Sequence, residues 1–371
     1  MAVGHGGFNV AREGGKHVAP APVLGRDTVL LVICALRPDY LRRTFEAVKR
    51  FHPSRKGDKD VAMPIVISQD AQDQTVSNVI GEFQISMKER ADVVHIRHPR
   101  NGSLRGGYAL LSAHYGWALE QVFDRLVQGG YDFRGVDKVI ILEDDLEIAP
   151  DFFDYFAATA PLLDSDLSLM GVSAWNDNGQ APIVDDNQAV YRSDFFPGLG
   201  WMLPRRIWEE LCPVWPQMYW DDWLREPARR KGRQFLRPEV CRTYHFGKKG
   251  TSNNQFGSHL DNIKLNQDPV AFRKMDMSFL EPEAFREHFL GRVEAATVVS
   301  VRQLVEGQCA PGDVRIVYSK EEEYEPIARQ LGIMADRKAG IPRTAYMGIV
   351  TLSWKGTRVF VTPEPIPPHL S

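Results

Sequence analysis

Short apolar runs alternate with amphipathic stretches along the first half of the chain. Continuous apolar runs of this kind are typical of strands that are buried on both faces. They occur at residues 29–33, 64–68, 93–96, 139–142 and 168–173. Apolar positions at helical spacing lie between them, at residues 40–48, 80–87 and 108–126. Strands that alternate with helices predict parallel pairing and right-handed crossovers, which make a Rossmann-like α/β unit.

The second half of the chain has a different texture. Residues 175–266 are rich in aromatics, glycine and proline, which predicts long functional loops or a lid packed by its own aromatic side chains. An apolar run at 314–318, a helical pattern at 322–331 and a hairpin signal around Lys355-Gly356 then indicate a smaller unit. We therefore expect a flexible leader at 1–27, an α/β domain at 28–275 and a small α+β domain at 276–371.

The composition is that of an ordinary globular protein. Of its 371 residues, 43% are hydrophobic and 25% charged, and the formal net charge of −3 gives no indication of nucleic-acid binding. The four cysteines form no CxxC pair, which argues against a zinc knuckle and leaves disulfides open. The longest apolar run, at 29–36, falls short of the roughly 20 residues of a membrane span, and no signal-peptide core is visible.

Three consecutive acids, Glu143-Asp144-Asp145, follow the apolar run at 139–142. Ligands of an open α/β sheet bind beyond the carboxyl ends of its strands, so this position is chemically informative. Neighbouring carboxylates repel one another unless a cation lies among them, and their oxygens suit hard ions such as Mg²⁺, Mn²⁺ or Ca²⁺. The pattern predicts a metal that clamps a phosphate-bearing ligand. A solvated acidic turn is the structural alternative.

Other predicted strand ends also carry polar residues. Arg37 follows the first strand and Asp70 follows the second, where an arginine can pair with a diphosphate and an aspartate can bind a base or ribose. Both are equally compatible with ordinary loop residues. His114 lies on the predicted helix at 108–126, where a lone histidine is more often packed than ligand-binding. No GxGxxG follows the first strand, which argues against an NAD domain.

A second acidic signal is Trp220-Asp221-Asp222-Trp223. Burial between tryptophans raises the pKa of a carboxyl group and suits it to act as a general base, whereas an aspartate near a helix start also caps backbone N–H groups. Residues 246–254 combine glycines, lysines and hydroxyls, as in a loop that closes over phosphates or a solvated basic turn. Together these features predict a metal-dependent glycosyltransferase of the GT-A type.

Five long motifs carry a family resemblance. They are EDDLEIAPDFFDYF (143–156), SAWNDNG (173–179), DFFPGLGWML (194–203), YWDDWLREPARRKGR (219–233) and FGKKGTSNNQFGSHLDNIKLNQ (246–267). In these motifs the chain resembles the N-acetylglucosaminyltransferase I family, from about residue 29 into the C-terminal hairpin. The resemblance implies a GT-A (Rossmann-like) nucleotide-sugar domain, with a donor half at 28–173 and an acceptor half at 174–275, followed by a smaller C-terminal α+β domain.

The resemblance also implies the reaction and its setting. The family transfers N-acetylglucosamine from UDP-GlcNAc with inversion, using Mn²⁺. The acceptor is a mannose-terminated glycoprotein, and the bond is a β-1,2 linkage to the α-1,3-linked mannose of an oligomannose N-glycan. The family acts in the Golgi lumen behind a membrane anchor, and this sequence shows neither an anchor nor a signal.

Carried over motif by motif, the resemblance assigns roles to individual residues. Asp145 is expected to be the direct Mn²⁺ ligand, Asp221 the catalytic base and Glu143 a contact of the donor sugar. The other expected donor-binding residues are Asp144 near the ribose or metal-bound waters, Arg37 on the diphosphate, Asp70 and His114 on the nucleotide, Leu199 and Trp220 beside the sugar, and Thr251 and Ser252 in the closing loop.

The chain departs from the family's pattern in places. Leu36 stands where the family usually has an acid before the first-strand arginine, and the cysteines do not fall at the family's disulfide positions. Two alternatives stay open: a relative that extends O-linked mannose or another acceptor, and a catalytically silent sugar-binding module. The first would share the donor motifs, whereas the retained Asp145 and Asp221 argue against the second.

Overall fold

A computed structural model describes residues 21, 23–58, 62–100, 105–125, 127–128, 131–247 and 257–367. Its first part alternates strands and helices, as the apolar runs predict. The elements are β1 (Thr28–Cys34), α1 (Pro38–Phe51), β2 (Ile65–Asp70), α2 (Gln74–Met87), β3 (Val93–His98), α3 (Gly107–Glu120), β4 (Val127–Gln128), β5 (Tyr131–Asp132), β6 (Lys138–Glu143), β7 (Leu146–Ile148), α4 (Phe152–Ser165) and β8 (Leu169–Ser173). The predicted helix at 108–126 ends earlier than expected, because a π-helical turn (Gln121–Arg125) follows α3.

The middle of the chain is more regular than the sequence predicts. It contains β9 (Val190–Ser193), β10 (Trp201–Pro204), α5 (Arg205–Leu211), α6 (Trp220–Arg225), α7 (Pro227–Arg230), β11 (Gln234–Pro238), β12 (Thr243–His245) and α8 (Gly257–Leu260). The expectation of loops over residues 175–266 is therefore wrong for three strands, β9, β10 and β11, which join the central sheet. These strands are short and lie among glycines and prolines, so they leave little periodic signal.

The central sheet has eight strands in the order β3-β2-β1-β6-β10-β8-β11-β9. Neighbours among β3, β2, β1 and β6 pair in parallel, and this confirms the α/β class and the Rossmann-like first half. Strands from the later part of the chain make the sheet mixed, because β10 lies antiparallel between β6 and β8, and β9 is antiparallel to β11. The start of β10 therefore lies at the edge where β6 ends.

Helices cover both faces of the central sheet. On β1, Leu30 and Val32 face one core, whereas Val29 and Leu31 face the other, and all four are fully buried. The first core contains residues of α1, α2 and α4, and the second contains residues of α3 and α5. Burying each such side chain contributes about 1.5–3 kcal/mol, so the apolar strands hold the polar strand ends in fixed positions.

The C-terminal part forms a second, smaller sheet. Its elements are α9 (Pro282–Ala295), β13 (Thr297–Val298), α10 (Val301–Val305), β14 (Val314–Tyr318), α11 (Glu321–Leu331), β15 (Arg337–Lys338), β16 (Ile341–Pro342), β17 (Val350–Trp354) and β18 (Thr357–Pro363). The sheet order is β13-β14-β18-β17, and β17 and β18 form the predicted hairpin, whose turn residues Lys355 and Gly356 have φ of 49° and 83°. The domain limits at 27/28 and 275/276 stay a prediction.

Two further expectations concern crosslinks and membranes. Cys34, Cys212, Cys241 and Cys309 all carry free thiols, so none of them forms a disulfide. Within the described ranges, every helix is too short or too polar to cross a bilayer.

Candidate active site at the carboxyl edge of the sheet

Polar residues end several neighbouring strands of the central sheet. Asp70 is the last residue of β2, His98 of β3 and Glu143 of β6, and Arg37 follows β1. The parallel register places Ile33 beside Glu143 and Asp70 beside His98. Because parallel strands end at a common edge, the sheet gathers these side chains along one line.

Arg37 binds two of the three consecutive acids. Its Nη1 donates to Asp145 Oδ2 at 2.6 Å, and its Nη2 donates to Asp144 Oδ1. The side chains of Asp144 and Asp145 are only 3% and 5% exposed. The hydroxyl of Thr44 on α1 donates to the backbone carbonyl of Asp144 at 3.0 Å. The acids therefore lie in a buried and tightly bound turn, and the alternative of a solvated acidic turn is wrong.

The three acids differ in their electrostatics. Burial raises the pKa of Asp144 to about 6, although Arg37 works against it. Burial and the charge of Asp145 also raise the pKa of Glu143 above its usual value. Burial opposes ionisation of Asp145 too, but the hydrogen bond and charge of His245 and the charge of Arg37 outweigh it and lower its pKa. Asp145 is therefore the acid that ionises most readily.

The surroundings of Asp145 fit a divalent metal. Its Oδ1 is buried and has no hydrogen-bond partner within the described part of the chain. A Cβ added at Gly247 would lie 2.2 Å from Oδ2, so only glycine fits beside the carboxylate. The described residues contain no group of three or more histidine, cysteine or acidic side chains with metal-site geometry. A metal held by few side chains and by ligand phosphates, as Mg²⁺ often is, matches that arrangement.

A second polar cluster surrounds Asp70. Arg100 donates from Nε and Nη2 to the two carboxylate oxygens at 2.9 and 2.7 Å, and His98 Nδ1 lies 3.0 Å from Oδ1. Burial opposes the ionisation of Asp70, but these hydrogen bonds hold its pKa well below the usual range. His114 packs its ring against His98, with centroids 5.3 Å apart, and its Nε2 lies 2.7 Å from the Ser68 hydroxyl.

His114 is a buried and uncharged group of this second cluster. Burial lowers the pKa of His114 to about 3, so its imidazole is neutral near pH 7. A neutral imidazole has one donor and one acceptor nitrogen, which suits it to hydrogen bonding with a polar ligand. The structure thus brings together Asp70 and His114, which the sequence places on separate elements.

Tyr115 joins the strand-end acids to α6. Its hydroxyl donates to Glu143 Oε1 at 2.8 Å, and its ring stacks on Trp220 with centroids 4.4 Å apart. Burial raises the pKa of Tyr115, and the charges of Glu143, Asp145 and Asp221 raise it further. Tyr115 therefore lies near both acidic motifs, Glu143-Asp144-Asp145 and Asp221-Asp222.

Asp221 and Asp222 occupy the first turn of α6. Their side chains are 43% and 42% exposed, so they are not enclosed between the tryptophans as expected. Neither caps α6: Arg225 Nη1 binds Asp221 Oδ2 at 2.9 Å and Asp222 Oδ1 at 2.8 Å. Lys338 Nζ donates to Asp222 Oδ2 at 3.1 Å. Burial disfavours the ionised form of Asp222, but Lys338 and Arg225 outweigh this effect and lower its pKa, contrary to the expected rise.

The backbone at Leu199 is held in an unusual conformation. Gly198, Leu199 and Gly200 have φ of 71°, 47° and 92°, a left-handed run that leucine rarely joins. The Thr243 hydroxyl donates to the Leu199 carbonyl at 2.6 Å, and Leu199 directly precedes β10 at the same sheet edge. Thr251 and Ser252, expected in the closing loop, lie outside the described residues.

Comparison with known proteins identifies the family. The sequence matches the GNT-I family over residues 13–367. The chain belongs to the GNT-I family. One relative is an α-1,3-mannosyl-glycoprotein 2-β-N-acetylglucosaminyltransferase of Arabidopsis thaliana. It is 44% identical over 332 residues, which cover 89% of this chain and 72% of that protein. GNT-I membership makes the protein a glycosyltransferase, as the motifs predict.

Two solved glycosyltransferase structures are distantly similar to this GNT-I protein. A mannosyltransferase from Pyrobaculum calidifontis, in complex with GDP-Man and Mn²⁺, is 12% identical with a TM-score of 0.39 over 80% of this chain and 83% of that one. The galactosyltransferase LgtC, with donor and acceptor sugar analogues, is 12% identical with a TM-score of 0.31 over 67% of this chain and 100% of that one. The family assignment rests on the sequence matches.

Several residues of the candidate site escape sequence reasoning. His98 ends β3 beside Asp70 and could have been found by the strand-end argument that selected Asp70. Tyr115, Arg225 and Lys338 carry no signal of their own, because only the folded chain brings them to the acids. His245 directly precedes the basic loop motif, and its Nε2 lies 3.3 Å from Asp145 Oδ2, a contact that no sequence pattern indicates.

Proposed function

We propose that the protein transfers N-acetylglucosamine from UDP-GlcNAc, with inversion, to the α-1,3-linked mannose of an oligomannose N-glycan in β-1,2 linkage. GNT-I membership and the 44% identity to an α-1,3-mannosyl-glycoprotein 2-β-N-acetylglucosaminyltransferase support the transferred sugar and the acceptor. The same membership supports a place in the Golgi lumen. The observation that carries the proposal is the buried turn at the end of β6, in which Arg37 binds Asp144 and Asp145.

The two polar clusters along the sheet edge suit the two ends of a nucleotide diphosphate. Asp70 and His114 form the cluster proposed for the uridine, at the end of β2. Arg37, at the end of the neighbouring strand β1, is the proposed partner of the diphosphate, since a guanidinium fork matches phosphate oxygens. β1, the strand before Arg37, lies between β2, which ends at Asp70, and β6, which ends at the three acids.

The donor sugar is proposed to lie between β6 and α6. Glu143 is fixed there by the Tyr115 hydroxyl, and Trp220 is fixed by stacking on the same tyrosine. Leu199 enters from the start of β10, at the same edge. Asp144 is proposed beside the ribose or the metal-bound waters, and Thr251 and Ser252 in the loop that closes over UDP.

Asp145 is the proposed protein ligand of Mn²⁺. Its low pKa keeps it ionised, and its buried Oδ1 lacks a partner within the described ranges. A divalent metal bound there would neutralise charge on the departing diphosphate. Arg37, whose pKa is raised by its two aspartate partners although burial opposes this, keeps a permanent positive charge beside the same phosphates.

Asp221 is the proposed catalytic base. Its side chain is 43% exposed and so can be reached by an acceptor, while Arg225 fixes one carboxylate oxygen from the same helix. The carboxylate removes the proton of a mannose hydroxyl as that oxygen bonds to the anomeric carbon of the sugar. The bond from the carbon to the diphosphate breaks on the opposite face, which inverts the configuration.

Transfer to defined acceptors tests the proposal. The purified chain is incubated with UDP-GlcNAc, Mn²⁺ and an oligomannose N-glycan, and the linkage of the product is determined by NMR. We expect one N-acetylglucosamine, β-1,2-linked to the α-1,3 mannose. An O-mannosyl peptide is tested in parallel.

Each alternative has its own outcome in that experiment. Extension of the O-mannosyl peptide alone would show that the N-glycan assignment is wrong while the donor assignment holds. Donor binding without transfer to either acceptor would identify a silent sugar-binding module.

A further inference from the structure

Among the described residues, His245 and Arg37 form ion pairs with the Asp145 carboxylate. It ends β12, which pairs antiparallel with β7 so that His245 lies opposite Leu146, the residue after Asp145. The next residue, Phe246, donates its backbone N–H to the Asp145 carbonyl at 3.1 Å. Two backbone connections therefore fix the imidazole beside the carboxylate, and its Nε2 lies 3.3 Å from Oδ2.

The side chains of Asp145 and His245 are paired and largely buried. They are 5% and 17% exposed, so neither reaches freely into solvent. Asp145 Oδ1 has no partner within the described ranges, although it is buried. The backbone of Gly247, two residues after His245, packs so closely against the carboxylate that a Cβ there would lie 2.2 Å from Oδ2. A buried carboxylate oxygen without a partner among the described residues and an imidazole nitrogen held beside the same carboxylate are the ligand types of a mixed nitrogen–oxygen metal site.

We propose that His245 is a second protein ligand of the divalent metal held by Asp145. The inference rests on the proposed function, which places Mn²⁺ at Asp145. One carboxylate, one imidazole and the oxygens of the donor diphosphate then share the ion. Imidazole suits transition metals, whereas Mg²⁺ and Ca²⁺ prefer oxygen ligands, so His245 would favour Mn²⁺ and its transition-metal neighbours over Mg²⁺.

The competing role for His245 is a hydrogen bond that merely orients Asp145. Both roles predict some loss of metal affinity when His245 is replaced, since a residue that orients a ligand is typically worth 10–100-fold. Only a ligand places a nitrogen atom directly on the metal. The decisive measurement is therefore a spectroscopic one on the unaltered protein.

Pulsed electron paramagnetic resonance of Mn²⁺ with the whole chain and UDP makes that measurement. We expect a hyperfine coupling to a directly bound nitrogen, which changes from the ¹⁴N to the ¹⁵N pattern when the histidines are ¹⁵N-labelled. The coupling should vanish in His245→Asn and persist in His288→Asn, a matched control on α9. Bound Mn²⁺ without nitrogen coupling in the unaltered protein overturns the proposal, whatever the variants do.

Calorimetry supplies the second measurement. We expect His245→Asn to lower the ratio of Mn²⁺ to Mg²⁺ affinity, measured with UDP, by about tenfold or more, because the imidazole contributes chiefly to Mn²⁺. An equal loss for both metals would show that His245 only orients Asp145.

Failure of this inference leaves the proposed function standing if the chain still transfers N-acetylglucosamine with Mn²⁺. Failure of the chain to bind Mn²⁺ even with UDP would overturn both.

Discussion

At the scale of single residues, the carboxylate of Asp145 has little room to move. Arg37 binds its Oδ2, and the backbone of Gly247 lies against the same atom. A Cβ at Gly247 would also lie 2.9 Å from Cγ and 3.0 Å from Cβ of Asp145, so rotating the carboxylate alone would not relieve the clash. The space beside the proposed metal ligand therefore depends on a residue without a side chain.

We expect Gly247→Ala to weaken metal-dependent binding of UDP. Overpacking of this kind costs about 1–3 kcal/mol, because Asp145 must shift from its present position. Calorimetry of UDP with and without Mn²⁺ measures the effect. Gly291→Ala is the control, since a Cβ there meets nothing within 4 Å and the residue lies within α9. Equal UDP affinity in both variants would contradict the expected crowding.

Asp221→Asn should abolish transfer while donor binding survives. An asparagine keeps the shape of the side chain but cannot take up the proton, and loss of a general base typically lowers the rate about 10²–10⁴-fold. Steady-state transfer and UDP calorimetry separate the two effects. Asp222→Asn is the matched control, because Lys338 and Arg225 already engage that carboxylate. Normal turnover by Asp221→Asn would mean that another group is the base.

Sequence reasoning succeeds for residues at strand ends and fails for residues brought in by tertiary contacts. Arg37 and Asp145 could be expected to lie near each other, because parallel strands end at one edge and buried carboxylates need a counter-charge. Lys338 could not be linked to Asp222, since 116 residues separate them. The exposure of Asp221 likewise lies beyond sequence reasoning, because neighbouring tryptophans in sequence do not guarantee burial.

At the scale of elements, length and apolar continuity decide what the sequence reveals. β1, β2 and β6 have six or seven residues, nearly all buried, and their apolar runs identify them. β9 and β10 have four residues each, too few to show a period of their own. The antiparallel insertion of β10 beside β6 is a tertiary choice that periodicity does not encode.

The helix that carries the proposed base is short and depends on tertiary contacts. α6 has six residues, too few for a helix to be stable by itself. Trp220 buries one side of it against Tyr115, and Lys338 on β15 binds its polar side through Asp222. The C-terminal part of the chain thus supports the element on which acceptor chemistry is proposed to occur.

Lys338→Met should raise the pKa of Asp222 toward its usual value, because burial already opposes ionisation and a cationic partner is lost. Carbon-13 NMR of the aspartate carboxyl groups measures that change.

The exposed ion pair of Lys338 with Asp222 contributes at most about 1 kcal/mol of stability. A lowered carboxyl pKa stabilises the fold above the unfolded value, so this contribution should fade as the pH drops through the folded pKa. Lys355→Met in the exposed hairpin turn should leave the titration of Asp222 unaltered.

At the scale of the whole molecule, a buried ion-pair network joins the C-terminal segment to the SAWNDNG motif. Arg343 Nη1 donates to Asp177 Oδ1 at 2.6 Å, and its other nitrogens donate to both oxygens of Asp336 at 2.8 Å. Arg343 and Asp177 are each 6% exposed. Burial raises the pKa of Asp177, although Arg343 opposes the shift, so the pair is stable only while both charges are present.

Arg343→Met should therefore lower the free energy of unfolding by about 3–5 kcal/mol, because it leaves Asp177 buried without its counter-charge. Unfolding in guanidinium chloride measures the change. Adding Asp177→Asn to the same chain removes the stranded charge and should recover part of the loss. Arg302→Met is the control: its ion pair with Glu306 is solvent-exposed on the arginine side, which is 84% accessible, and should change stability by about 0.5 kcal/mol or less. A loss below about 1 kcal/mol for Arg343→Met would mean that the network does not hold the two parts together.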